Sequence, residues 1–389
     1  MNNQLNANQN VSPYIYRYCT AREGLPRFRE KLSRSDAVTV AFLGGSITEG
    51  YGASDPDRSS WRALTEQFLQ AAYPALTWTF VNAGVGGTNS TLGAHRLQSH
   101  VPVSDGIDLL FIEFAVNDSQ HREHSAEGRA ETIRSMEGIV RQCRRLSPQA
   151  DIVLLYSADE HNLAEVDPFF ISVHEEVAVH YGLPSVSFSG RVRDWLAAGE
   201  GTWEQLAPDR THPNDAGYAC YAGLLREFLD HVLKPNSAQS AQGTTVLPAP
   251  LLEDSYGQAS MRDMSGTYGV KLLHMQQRPE NMVNWRYAAE HLASDSPEAE
   301  FSFDVNGHGA GLLLICGPDS GILEFAVNGG PFQTVNPFDE WCPLFWRPVP
   351  VRLASQSQVE AMRITVRNTA MKDERSTGTW LRVLALLEH

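Results

Sequence analysis

The chain has no run of about eighteen apolar residues, the length a helix needs to cross a bilayer. No transmembrane helix is therefore expected. Its polar opening, M-N-N-Q-L-N-A-N-Q-N, has no basic stretch followed by an apolar core, so it does not read as a secretory leader. A cytoplasmic location without membrane attachment is the expectation. Positive charge is scarce as well: 31 Lys and Arg against 46 Asp and Glu leave a net charge of −15. A surface of that sign repels phosphodiester backbones and argues against nucleic acid as a partner. Cysteine is limited to Cys19, Cys143, Cys220, Cys316 and Cys342. The number is odd, the spacings are wide and no C-x-x-C occurs. Reduced thiols are expected, not a disulfide framework or a zinc site.

What remains is ordinary globular material. Hydrophobic residues make up 42% and charged residues 20% of 389 positions, enough for two domains and too many apolar residues for a mostly disordered chain. After an N-terminal extension (1–35), A-V-T-V-A-F-L at 37–43 is an apolar, β-rich run ending in Gly44 and Gly45, the pattern of a strand buried on both faces. Further strands are expected at 78–82, 107–116, 152–156 and 185–188. Helical stretches lie between most of them. In 59–72, Trp61, Leu64, Phe68 and Ala72 share a face; 125–146 carries Met136, Ile139, Val140 and Cys143; 214–233 carries Tyr221, Leu224, Leu225, Phe228, Leu229 and Val232. Strands alternating with helices imply a parallel sheet covered on both faces. Ligands of such sheets bind beyond the carboxyl ends of the strands.

The pattern changes after 235. Residues 236–250 read as a polar linker closed by Pro248 and Pro250. From there β-rich runs take over, at 301–305, 311–316, 322–327, 349–353, 362–367 and 380–387, with Asn328-Gly329-Gly330 as a hairpin turn. The reading is an all-β sandwich over 251–389.

Chemistry concentrates in the loops after the strands. In F-L-G-G-S-I-T-E-G (42–50), Ser46 directly follows a buried strand and a glycine pair. In P-D-R-T-H-P-N (208–214), Asp209 and His212 stand three apart just before a helix. A serine hydroxyl is a weak nucleophile near neutral pH; it needs an imidazole to take its proton and a carboxylate to orient the ring. N-A-G-V-G-G-T-N-S (82–90) and F-A-V-N-D (114–118) each follow an expected strand. A glycine N–H and an asparagine amide there would suit the oxyanion of acyl transfer. Taken singly, each motif reads equally as a helix cap or a turn.

Their order and spacing together resemble the SGNH (GDSL-like) hydrolase superfamily over 36–235. The resemblance implies an α/β domain, a three-layer α/β/α flavodoxin-like fold with a five-stranded parallel sheet. It also implies a Ser-His-Asp triad of Ser46, His212 and Asp209, and oxyanion donors from Ser46 N–H, Gly87 N–H and the Asn117 side chain. No cofactor or metal is implied. Gly45 stands where the family name has Asp, which leaves the triad intact. The G-G-S-I-T form is more similar to carbohydrate esterases than to lipases, and the C-terminal region looks like the jelly-roll-like sandwich appended to some bacterial members. An acetylated saccharide or other small ester is the implied substrate. Acyl transfer to another acceptor, longer acyl chains, non-catalytic glycan binding and self-association all stay open.

Gly86, Glu49, Asp118 and His161 are assigned to substrate binding, with Asp159 and Glu160 beside the last. Glu113 and Arg96 read as a buried structural ion pair, and His121 and His124 as a solvated loop. Trp285, Trp341, Trp346 and Trp380 read as core or seam residues first and as a sugar platform second.

Overall fold

The computed structural model describes residues 15–234 and 247–389; most of the expected linker lies outside them. The chain divides into two compact units. One falls within Met1–Gly93 and His100–Glu253, the other within Ala94–Ser99 and Asp254–His389.

The first unit is built on β1 (Cys19–Thr20), β2 (Ala37–Gly44), β3 (Thr77–Gly84), β4 (Leu109–Glu113), β5 (Asp151–Tyr156) and β6 (Ser185–Ser187). They form one sheet in the order β1-β6-β5-β4-β2-β3. The five expected strands are parallel to their neighbours. A sixth, β1, adds an antiparallel edge through Cys19↔Val186 and Thr20↔Ser185. Two residues are too few to show a period, so no sequence pattern announces it. All residues of β4 and β5 are buried, as the continuous apolar runs require. Phe42 stacks on Phe111 at 5.2 Å, and Trp61 meets Phe42 edge-on at 5.5 Å. This packing joins β2, β4 and the helix Trp61–Ala72 in one core.

The expected strand 107–116 stops at Glu113. Pairing of β4 with β2 ends at Gly44↔Glu113 and with β5 at Ile112↔Leu154. Beyond that point no neighbour can take the backbone hydrogen bonds, and residues Ala115–His121 satisfy them as a short helix. The chain visits β2, then β3 on one side, then β4 on the other. The switch point therefore lies between β2 and β4, where sheets of this order bind ligands.

Helix starts fix the loops. Ser60 Oγ accepts Ala63 N–H to start Trp61–Ala72, and Ser125 Oγ accepts Gly128 N–H to start Ala126–Leu146. Asn214 Oδ1 accepts Ala216 and Gly217 N–H to start Asp215–Val232.

The second unit is all-β and antiparallel, from β7 (Ser260–Arg262), β8 (Tyr268–Lys271), β9 (His274–Gln276), β10 (His291–Ser294), β11 (Glu300–Cys316), β12 (Gly321–Val327), β13 (Gln333–Val335), β14 (Arg347–Lys372) and β15 (Leu381–Glu388). Their order is β13-β12-β14-β11-β15-β10-β9, with β7 on β15 and β8 on β11. The strands thus form one hydrogen-bonded network. The runs at 301–305 and 311–316 belong to one strand, as do those at 349–353 and 362–367. Register shifts between Gly307 and Gly309 and between Ala310 and Gly311 bend β11 without ending it. They also exchange parity: Phe301, Phe303 and Val305 face the core before the shifts, and Leu312, Leu314 and Cys316 after them. Asn328 and Gly329 take the left-handed backbone (φ 52° and 72°) of the expected turn between β12 and β13.

Candidate active site

Ser46 opens the short helix Ser46–Glu49 at the carboxyl end of β2. The preceding turn has no room for side chains. A Cβ on Gly44 would overlap Thr48, and one on Gly45 would overlap the Asn117 amide and touch Thr88 O. These close approaches gather the ends of β2, β3 and β4 around Ser46.

His212 comes from the loop before Asp215–Val232. Its Nε2 lies 2.8 Å from Ser46 Oγ. Its Nδ1 lies 2.7 Å from Asp209 Oδ2. Asp209 Oδ1 also accepts the backbone N–H of His212 (2.7 Å) and Thr211 (3.0 Å). Partial burial pushes the Asp209 carboxyl up, but these bonds outweigh it and hold the group below its ordinary value. With the carboxylate on Nδ1–H, Nε2 is left as the acceptor facing the serine hydroxyl. Left-handed backbone at Arg210 (φ 65°) tightens the loop. Arg210 O accepts bonds from Trp203 Nε1 (2.8 Å) and Glu160 N (3.0 Å). The loop also packs against Gly52, whose φ of 91° brings it beneath His212 and Pro213.

Gly87 (φ 64°) sits in the turn after β3. Asn117, 5% exposed, lies on the helix after β4. Among the described residues, no protein acceptor takes the Ser46 N–H, the Gly87 N–H or the Asn117 side-chain amide. Buried or half-buried donors left unspent cost stability. Together they make a set able to receive a developing oxyanion.

The residues assigned to substrate binding divide differently. Gly86 and Glu49 bond to each other: Gly86 N–H donates to Glu49 Oε2 at 2.7 Å. That bond ties the turn after β3 to the helix carrying Ser46 and occupies the Gly86 N–H and one carboxylate oxygen of Glu49. Asp118 is fully buried and engaged by Ser90, Arg122 and His174, which removes it from the substrate-contacting set. His161 is exposed on the helix Glu160–Leu163. Its neighbour Glu160 bonds the loop that carries Asp209 and His212 and pairs with Arg210. Asp159 is not a surface residue; it caps that helix in a capping box with Asn162.

Glu113 is 1% exposed at the end of β4. It makes no ion pair with Arg96; Thr48 Oγ1 donates to it at 3.4 Å, and its Oε1 is unpartnered. Burial pushes its carboxyl up to about 8. His124 stacks on Phe169 at 5.0 Å and so is part of an aromatic cluster, not a free loop. In the β unit, Trp285 is buried, Trp346 Nε1 donates to Asp319 and Trp380 lies under Arg382. Trp341 is half exposed beside Phe345, so the four indoles form no common platform. All five cysteines are unpaired. No helix among the described residues is long and apolar enough to cross a membrane.

Sequence reasoning missed Tyr51. Its ring meets the His212 imidazole edge-on at 4.6 Å and is 63% exposed. Tyr218 O–H anchors the loop by donating to Tyr51 O at 2.6 Å. It also missed Ser90 and His174, whose partner Asp118 is distant in sequence, and Arg122, which pairs with Asp118 one helical turn away.

Residues 42–220 match the model of the GDSL-like Lipase/Acylhydrolase family. No curated protein matches the chain. Among solved structures, a two-domain esterase (CEX) active on acetylated mannans is 22% identical, with 97% of each chain covered and a TM-score of 0.79. Axe2, an acetylxylan esterase from Geobacillus stearothermophilus, is 22% identical over 50% of this chain and 94% of its own, with a TM-score of 0.42. The first shares the two-unit fold from end to end. The α/β unit of this chain, with Ser46 at the tip of its second strand, thus carries a match to the GDSL-like lipase/acylhydrolase (SGNH) domain over residues 42–220.

Proposed function

We propose that the protein is a serine ester hydrolase that removes short acyl groups, acetyl first among them, from carbohydrate hydroxyls. Ser46 Oγ attacks the ester carbonyl as His212 Nε2 takes its proton. Asp209 holds the ring and stabilises the imidazolium. The carbonyl oxygen, now negative, receives the Ser46 and Gly87 N–H groups and the Asn117 amide. His212 returns the proton to the departing sugar oxygen. Water, deprotonated by the same imidazole, then releases the acyl group from Ser46 and restores the hydroxyl. Each half-reaction balances with one proton passed through His212, so the scheme uses no cofactor.

The observation that carries this reading is the continuous line from Ser46 Oγ through His212 to Asp209, at 2.8 Å and 2.7 Å. The unspent donors beside it supply the oxyanion site. Acetylated saccharide is the chosen substrate class because the two-unit fold is shared with an esterase active on acetylated mannans. His161, exposed near the triad loop, is the remaining candidate for substrate contact.

The test is release of acetate from a panel of acetylated saccharides, with Ser46→Ala as the control. Release by the native protein and none by the variant supports the proposal. Equal release by both, or a p-nitrophenyl ester series peaking at octanoate or longer, contradicts it.

A further inference from the structure

The two proposed oxyanion donors outside the nucleophile loop come from different places. Gly87 follows β3, Asn117 follows β4, and these strands lie on opposite sides of β2. Loops hold a constellation less precisely than regular elements, and oxyanion donors must be set to within about 0.5 Å. The turn that carries Gly87 must therefore be tied to the short helix that carries Asn117.

One carboxylate does so. Asp118 comes directly after Asn117; Ser90 lies three residues after Gly87 and opens the helix Ser90–His100. Asp118 Oδ1 accepts Ser90 N–H at 2.9 Å, Ser90 O–H at 3.0 Å and Arg122 at 2.6 Å. Asp118 Oδ2 accepts His174 Nε2–H at 2.8 Å. Arg122 continues to Ser90 Oγ (3.1 Å), Thr91 Oγ1 (2.6 Å) and Thr132 Oγ1 (2.8 Å). His174 and Thr132 belong to the long helices Phe169–His180 and Ala126–Leu146, which brace the pair from behind. Exposures are 0% for the Asp118 side chain, 7% for Arg122 and 1% for His174.

We infer that Asp118 is a positioning residue, which fixes Asn117 relative to Gly87 by binding the start of the helix that follows Gly87. The inference rests on the proposed ester hydrolysis. A buried ion pair is weak evidence for stability, since desolvation offsets its attraction. Stability alone therefore does not account for a charge that bridges the short helix after β4 and the start of the helix after Gly87. Burial pushes this carboxyl up, but Arg122, His174 and Ser90 outweigh it and bring it to about 2. It remains an acceptor on every side across the neutral range.

The test is a double-mutant cycle in kcat on p-nitrophenyl acetate. Asn117→Ala should lower kcat by about 10²–10³, and Asp118→Asn by about tenfold or more, with KM within about threefold of the native value. If Asp118 acts through Asn117, the double variant is no slower than Asn117→Ala by more than about threefold. Multiplying losses, or native kcat in Asp118→Asn, overturn the inference. Melting temperatures separate folding from catalysis. If Asp118→Asn does not fold, Ser90→Ala removes the hydroxyl with its bonds to Asp118, Arg122 and Ser135 and keeps the N–H bond to Asp118. Its smaller kcat loss should vanish in the Asn117→Ala background, and persistence there overturns the inference. Native turnover in Ser46→Ala overturns the hydrolase reading itself and the inference with it.

Discussion

The Asn117 side chain occupies the space that a Cβ on Gly45 would fill. The glycine in place of the aspartate of the family name is therefore part of how this chain seats its amide. In this backbone any side chain at 45 must displace Asn117 or shift the turn that carries Ser46.

Gly45→Ala is accordingly expected to lower kcat on p-nitrophenyl acetate by about tenfold or more, since the proposed oxyanion donor Asn117 leaves its place. KM should stay within about threefold. Steady-state kinetics measure both; native kcat in this variant would contradict the packing described here.

Asp209 accepts the His212 ring and two backbone N–H groups of its own loop. Asp209→Asn keeps the shape and removes the charge that selects the Nδ1–H tautomer. A kcat loss of about 10²–10⁴ is expected, with the fold intact by circular dichroism. A loss below about threefold would mean that another group orients the imidazole.

Glu113 gives a pH signature in stability. Its carboxyl is raised from 4.5 to about 8 by burial, so the folded protein holds a proton that the unfolded chain releases. The contribution is fully present below about pH 4.5 and is lost as pH rises to about 8. The slope approaches about 1.4 kcal/mol per pH unit where the two states differ by one proton. Glu113→Gln stays neutral throughout. Its stability relative to the native chain should rise across that window and level off above it, as followed by urea unfolding at several pH values. A constant difference would show that Glu113 does not titrate there.

Strand placement was legible because both faces of β2, β4 and β5 are buried, which writes each as an unbroken apolar run. Its limits were equally physical. Gly307–Gly309 reads as a turn between two strands, yet the bulge keeps β11 continuous and only swaps inward parity. Ser46, Asp209 and His212 were legible because their order and their short motifs constrain them. The partners of Asp118 and Glu49 were not legible because they are set only by folding. Ser90 and His174 lie 28 and 56 positions from Asp118, and Gly86 lies 37 from Glu49. A carboxylate beside a functional motif looks the same in sequence whether it faces a ligand or a backbone N–H.

Tyr51 stands beside the imidazole that protonates the leaving group in the proposed scheme. An exposed aromatic ring there offers an apolar face to a pyranose and little to a compact alcohol. Tyr51→Ala should raise KM several-fold, roughly 1 kcal/mol of ring contact, on an acetylated saccharide. It should leave ethyl acetate nearly unchanged. Equal effects on both esters would assign the ring to shielding His212 instead.

The central claim is that Ser46 is made nucleophilic by His212. Labelling with a fluorophosphonate, followed by peptide mass spectrometry, tests it most directly. One modified peptide is expected, with the adduct on Ser46, and labelling slowed at least about a hundredfold in His212→Ala. An adduct on another residue, or a native labelling rate in His212→Ala, would contradict it.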